Sequence, residues 1–263
     1  MRYRTRVTTT HAPPAALLAL DLDGTLIGPD GQPPPGLLDE LRVWQLGGAH
    51  VAVITARGRL PPLLRDWPLH SASRCYGAWL RCEGRVLWER TLPTTAVHAA
   101  LGALTPTERG ERCRTLIVTP DPRGILRHTD PDFEDRWPHA PAPLKVVHGQ
   151  PDADRLDGLQ AQWAAIPGAQ VIRERRDRLV LVAAGAGKGE ALRDLATHLG
   201  VPAARTWAAG DGPADAAMLP HARTFLRVGT HPALHAAHLT APGPADVPRV
   251  LARCRADALG CRA

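Results

Sequence analysis

The sequence predicts an α/β protein, a doubly wound and mainly parallel sheet with a smaller α+β module set into it. Two observations carry this. Short apolar runs alternate with amphipathic helical segments at both ends of the 263-residue chain, the pattern of strand–helix units around a parallel sheet. Between residues 91 and 183 the texture changes to proline-rich sequence with closely spaced strand-like runs. The expected division is a tail over 1–12, a core of 13–90 and 184–263, and an inserted module over 91–183.

The elements follow in order. "ALLAL" (16–20) reads as a buried strand. In "GLLDELRVWQLGG" Leu37, Leu41 and Trp44 fall on one helical face, with Gly47 as a stop. "AHVAVIT" (49–55) is a second strand. "RTLIVTP", "LKVVHG" and "RLVLVAA" are strand-like pieces of the inserted module, and "DRLDGLQAQWAAI" is its helix. "KGEALRDLATHLG" places Leu192, Leu195, Ala196 and Leu199 together before Gly200. "ARTWAAGDG" and "RTFLRVG" are further strands.

Composition narrows the function classes. No apolar run approaches a membrane span. The basic start followed by "AALLAL" imitates a signal peptide only weakly, since prolines open the run and Asp21 and Asp23 close it. A cytoplasmic protein is expected. Five scattered cysteines without a C-x-x-C pair argue against a disulfide framework and a zinc ribbon. The formal charge of +6 comes from arginines spread along the chain, with few aromatics to stack on bases, so no nucleic-acid partner is expected. "RERRDR" (173–178) reads as a solvated strand edge or hairpin. His231, His235 and His238 have i, i+4, i+7 spacing but read as incidental residues of a surface helix.

The chemistry gathers at strand ends. "ALLALD" ends at Asp21, "VAVIT" at Thr55 and "TWAAGD" at Asp211, and ligands of open parallel sheets sit beyond the carboxyl ends of the strands. The chain has two lysines, Lys145 and Lys188, against thirty arginines. A retained lysine suits a site needing a compact point charge, and Lys188 opens a helix between glycines, where an anion is favoured. "GAGKGE" is neither a Walker A loop nor G-x-G-x-x-G, because Val182 and Glu190 stand where those patterns need glycine. Asp21, Asp23, Asp211 and Asp215 would repel one another without a cation, and oxygen ligands select a hard ion, Mg²⁺.

"DLDGTLI", "ITARG", "GKGEAL" and "GDGPADAAML" resemble, in order, the four motifs of the haloacid dehalogenase-like (HAD) phosphohydrolases. "YGAWLRCEGRVLWERTL" resembles the hairpin leading into the larger α/β cap of the Cof-type subfamily. The resemblance implies a Mg²⁺-dependent phosphatase of a small phosphorylated metabolite, a sugar phosphate, acting as a monomer or small homo-oligomer. It makes Asp21 the nucleophile that becomes an aspartyl-phosphate, and Asp23 the acid/base. Thr55, Lys188, Asp23 and Gly24 would hold phosphoryl oxygens. Asp21, Asp23 (through its carbonyl) and Asp211 would hold the metal, with Asp215 in support. The inserted module would be a cap that selects substrate. Two alternatives are a trehalose- or sucrose-phosphate type of phosphatase and a HAD-fold binding protein with little turnover. Two residues depart from the family pattern: Ala214 where asparagine is frequent, and Tyr76 before Gly77 where Asn-Gly is common.

Overall fold

The structure is a computed structural model that describes residues 14–105, 108, 113–121, 124–140 and 143–259. The expected tail (1–12) and Cys261 lie outside them. The described residues divide into two compact units, one within Trp88–Ala186 and one formed by residues 14–87 and 187–259.

The second of these units is built on an eight-stranded sheet. Its strands are β1 (Ala16–Leu20), β2 (Ala49–Ile54), β3 (Ser71–Arg74), β4 (Trp79–Cys82), β5 (Arg85–Glu89), β11 (Thr206–Gly210), β12 (Thr224–Val228) and β13 (Leu239–Ala241). The order is β13-β12-β11-β1-β2-β3-β4-β5. Pairing is parallel from β13 to β3 and antiparallel between β3 and β4. Every residue of β1, β2 and β11 is buried. These strands are therefore continuous apolar runs, as parallel strands covered on both faces must be. Glu83 and Gly84, with φ of 47° and 79°, close the β4–β5 turn, the left-handed pair of a tight hairpin.

Helix α1 (Leu37–Leu46) buries Leu37, Leu41 and Trp44 as its spacing requires. Trp44 meets Trp207 of β11 edge-to-face, ring centres 5.9 Å apart, within the core formed by Leu18, Leu20, Val51, Val53 and Leu226. Helix α6 (Val247–Leu259) buries Leu251 and Ala258 in this core, and its Arg255 pairs with Glu40 of α1 at 2.6 Å. Helix α5 (Lys188–Leu199) buries Leu192, Leu195 and Ala196 and ends at Gly200 in the left-handed region.

The Trp88–Ala186 unit has an antiparallel five-stranded sheet of β6 (Arg114–Val118), β7 (Ile125–Arg127), β8 (Lys145–Gly149), β9 (Ala169–Arg175) and β10 (Arg178–Ala183), in the order β7-β6-β8-β10-β9. Helices α2 (Thr94–Gly102) and α4 (Ala153–Ala164) pack Val97, Leu101, Leu156, Leu159 and Trp163 against Ile117, Val146, Leu179 and Leu181. A four-residue helix α3 (Phe133–Arg136) adds Phe133. "RERRDR" spans the β9–β10 hairpin at the sheet edge, where Arg173 pairs with Asp157 and Arg178 with Glu174.

The surface helix expected at 231–238 is not formed. A 3-10 turn, Pro232–Leu234, stands there, followed by β13. His231 Nδ1 accepts from the Ala233 amide, His235 bonds the Pro232 carbonyl, and His238 Nδ1 accepts from the Phe225 amide. Each imidazole bonds a backbone group, His231 and His235 within their own turn and His238 across to β12. Among the described residues no helix is long and apolar enough to cross a membrane.

Candidate active site

The central strand β1 stops at Leu20, and Asp21 continues it by one more hydrogen bond, from its amide to the Ala209 carbonyl at 2.9 Å. A tight turn follows: the Leu26 and Ile27 amides bond the Leu22 carbonyl, and the Gly24 amide bonds the Ile27 carbonyl. The turn separates the two carboxylates that a straight strand would set side by side. Asp21 is 3% exposed, whereas the Asp23 side chain is 50% exposed.

Gly24 sits in the left-handed region at φ 78°, and a Cβ there would come 2.2 Å from an Asp211 carboxylate oxygen. Glycine serves both requirements: it tolerates the dihedral and clears space for Asp211.

Asp211 follows β11, and Asp215 lies in the 3-10 segment Pro213–His221. Asp215 Oδ2 accepts from the backbone amides of Asp211 and Gly212 at 3.1 and 3.0 Å. Lys188, the first residue of α5, donates to Asp21 Oδ1 at 2.5 Å and to Asp215 Oδ1 at 2.6 Å. Lys188 and Asp215 are as buried as Asp21. The Thr25 hydroxyl reaches Asp21 Oδ2 at 3.4 Å. Carboxylate oxygens of Asp21, Asp211 and Asp215 all lie within 4.8 Å of one another.

The charges explain the titration behaviour. Burial pushes the Asp21 carboxyl up to about 7, with Asp215 and Asp211 adding to the rise and Lys188 opposing it. Burial and the neighbouring Asp215 also raise Asp211. Burial works against the Lys188 ammonium, but the Asp21 and Asp215 carboxylates outweigh it and hold the lysine above its ordinary range. Three crowded carboxylates against one ammonium leave surplus negative charge, and all the donors are hard oxygens. This donor set fits a small divalent cation such as Mg²⁺.

Thr55 follows β2, fully buried, with its hydroxyl accepting from the Arg57 amide at 3.2 Å. Arg57 lies in "ITARG", but no role was assigned to it there. Its guanidinium grips Asp23 at both oxygens, Nε to Oδ2 at 2.7 Å and Nη2 to Oδ1 at 2.5 Å. The signal available was its place in "ITARG", two residues beyond a strand-end threonine. Of the expected residues, the geometry gathers Asp21, Lys188, Asp211 and Asp215 directly. Gly24 lies against Asp211, and Asp23 and Thr55 are linked through Arg57.

The departures from the family pattern have local accounts. Asp215 is held by two amides and Lys188, with Ala214 taking no part in those bonds. Tyr76 adopts φ 59°, ψ 27°, a left-handed conformation that asparagine or glycine reaches more easily.

Buried carboxylates beyond the carboxyl ends of β1 and β11 thus meet a lysine at the start of α5, an arrangement suited to binding a cation and an anion. The haloacid dehalogenase-like hydrolase family model matches residues 126–238, a span containing Lys188, Asp211 and Asp215 but not Asp21 or Thr55. The fold agrees. A HAD subclass IIB sugar phosphatase is similar to this chain with a TM-score of 0.75, at 17% identity over 93% of this chain and 99% of that one. A haloacid dehalogenase-like hydrolase from Bacteroides thetaiotaomicron gives 0.73 at 20% identity, over 90% and 98%. Another from B. subtilis gives 0.72 at 19%, over 90% and 99%. No curated protein matches in sequence. The family model thus covers under half of the chain, and the solved structures extend the likeness of fold over nine-tenths of it.

Proposed function

We propose that this protein is a Mg²⁺-dependent phosphatase of a small phosphorylated metabolite, a sugar phosphate, and that it works through an aspartyl-phosphate on Asp21. The observation that carries the reading is the buried Asp21–Lys188–Asp215 arrangement beside Asp211, with a half-exposed Asp23 one turn away. Free rather than bridged cysteines among the described residues suit a cytoplasmic enzyme.

In this reading an Asp21 carboxylate oxygen attacks phosphorus as the bond to the leaving oxygen breaks. Protonated Asp23 gives its proton to that oxygen. Asp23 then takes a proton from water, which attacks the phosphorus and releases Asp21. Lys188 has three N–H donors, two of them committed to carboxylates; the third would be left for a phosphoryl oxygen, which Thr55 and Gly24 would also help to hold. Asp21, Asp211, the Asp23 carbonyl and, in support, Asp215 would hold Mg²⁺, which supplies positive charge to the phosphoryl oxygens. Acceleration of phosphate-monoester hydrolysis reaches about 10²¹-fold, while one general acid or base gives roughly 10²–10⁴. A nucleophile, a cation and charge clamps are therefore all required. The Trp88–Ala186 unit is proposed as the cap that selects the substrate.

The test is phosphate release from a panel of phosphorylated metabolites with Mg²⁺ or EDTA, with mass-spectrometric trapping of an acyl-phosphate. The expected label is on Asp21, and Asp21→Asn is expected to abolish both label and turnover. A label elsewhere, or a wild type inactive on the whole panel, overturns the reading; the second result would favour a binding protein.

A further inference from the structure

We propose that Arg57 is the positioning residue for Asp23: its two-point grip sets the plane of the Asp23 carboxylate, and so the path of proton transfer to the leaving group. The inference rests on the phosphatase reading above.

Asp23 stands on a turn, not in a strand, and its side chain is half exposed. Left alone, such a carboxylate samples several rotamers. Among the described residues, the hydrogen bonds of its two oxygens go to Arg57. A guanidinium fork meeting both oxygens fixes the carboxylate plane as well as its distance, which a single-point contact cannot do.

Arg57 is itself held. Its amide donates to Thr55 Oγ1 at 3.2 Å, and its carbonyl accepts from the Cys75 amide at 2.9 Å. The fork is thus mounted on the end of β2 and on the turn after β3. Asp23, on the turn after β1, is thereby tied to the neighbouring strand β2 and, beyond it, to the turn after β3.

The pair does not serve mainly for stability. Ion pairs this exposed contribute little, whereas small misplacements of an acid/base cost rate steeply. The contrast with the buried pit is informative. Asp21, Lys188 and Asp215 are fixed by packing and by one another, while Asp23 at the exposed side depends on one partner.

The test uses the full chain with Mg²⁺ and compares the wild type with Arg57→Ala, Arg57→Lys, Asp23→Asn and Arg57→Ala/Asp23→Asn. Rapid-quench measurements follow the first turnover of an alkyl phosphate, which needs leaving-group protonation, and of an activated aryl phosphate, which needs little. Arg57→Ala is expected to slow the alkyl first turnover about tenfold or more while leaving the aryl burst within about twofold. Arg57→Lys keeps the charge but not the fork, so it is expected to stay impaired on the alkyl ester. The double variant should be no slower than Asp23→Asn. Melting temperatures should shift little, which separates positioning from loss of fold. Equal loss on both esters, full activity of Arg57→Ala, or multiplicative effects in the double variant would overturn the inference alone. A wild type that cleaves neither ester overturns the phosphatase reading, and this inference with it.

Discussion

Lys188 Nζ lies between Asp21 Oδ1 and Asp215 Oδ1, 2.5 Å from one and 2.6 Å from the other, in a pocket where all three side chains are buried. Removing the ammonium leaves two carboxylates together in low dielectric. Lys188→Met is expected to cost about 3–5 kcal/mol in metal-free urea unfolding, the scale for breaking a buried pair. Adding Asp21→Asn to Lys188→Met should recover part of that loss, since it removes one of the stranded charges. An additive double variant would show that the three groups do not share one electrostatic site.

Mg²⁺ is expected to raise the melting temperature, because it binds the native carboxylate set and not the unfolded chain. EDTA should reverse the shift, and Asp211→Asn should shrink it by removing a charged ligand. Differential scanning fluorimetry at several Mg²⁺ concentrations reads this directly. A melting temperature indifferent to both Mg²⁺ and EDTA counts against the cation site.

Gly24→Ala tests the close approach at the β1 turn. The added methyl must displace Asp211, whose oxygen would stand 2.2 Å from it, and must also accept φ 78°. The left-handed conformation alone costs about 1–2 kcal/mol for a residue with a Cβ. Both stability and the Mg²⁺-induced shift should fall, whereas Gly84→Ala, with open space around it, should lose stability but keep the shift.

Acid should weaken both units. Burial lowers His50 to about 3, with His70 and His198 assisting, and lowers His148 to about 4. Both are held neutral, so their contribution is full above the unfolded histidine value near 6.5 and is lost as pH falls toward the folded values. Each contributes a slope of about 1.4 kcal/mol per pH unit in that window. Burial opposes ionisation of Glu108, but its hydrogen bonds from Arg155 and Thr105 hold it down at about 2, so its share is lost between its ordinary value and 2. Stability measured from pH 7 to 4 should decline, and His50→Gln should flatten the decline. A pH-independent unfolding free energy over this range would contradict the buried neutral state.

The core was legible wherever one physical demand dominated. Parallel strands covered on both faces must be apolar throughout, so "ALLAL", "VAVI" and "TWAAG" announce themselves. Their polar terminal residues mark the carboxyl edge. Helices α1 and α5 were readable from their apolar stripes and glycine stops. The histidines at 231–238 misled because their spacing was helical while their rings bond backbone groups, amides for His231 and His238 and a carbonyl for His235. Arg57 was hidden among thirty arginines, and only the turn after β1 gives it a partner. The left-handed backbone at Tyr76 could not be inferred, because tyrosine carries no signal for that conformation.

The pairing of β1 with β11 has a consequence for how the chain is made. Asp21 and Lys188 are separated by 167 positions, so at translation rates of about 5–20 residues per second the partner of Asp21 emerges roughly ten to thirty seconds later. For that interval β1 can pair with β2, but its other edge has no native neighbour. A flat apolar edge is a template for association with other chains. The nascent chain must therefore keep that edge covered until β11 emerges, and the synthesis time of Trp88–Ala186 sets most of the wait.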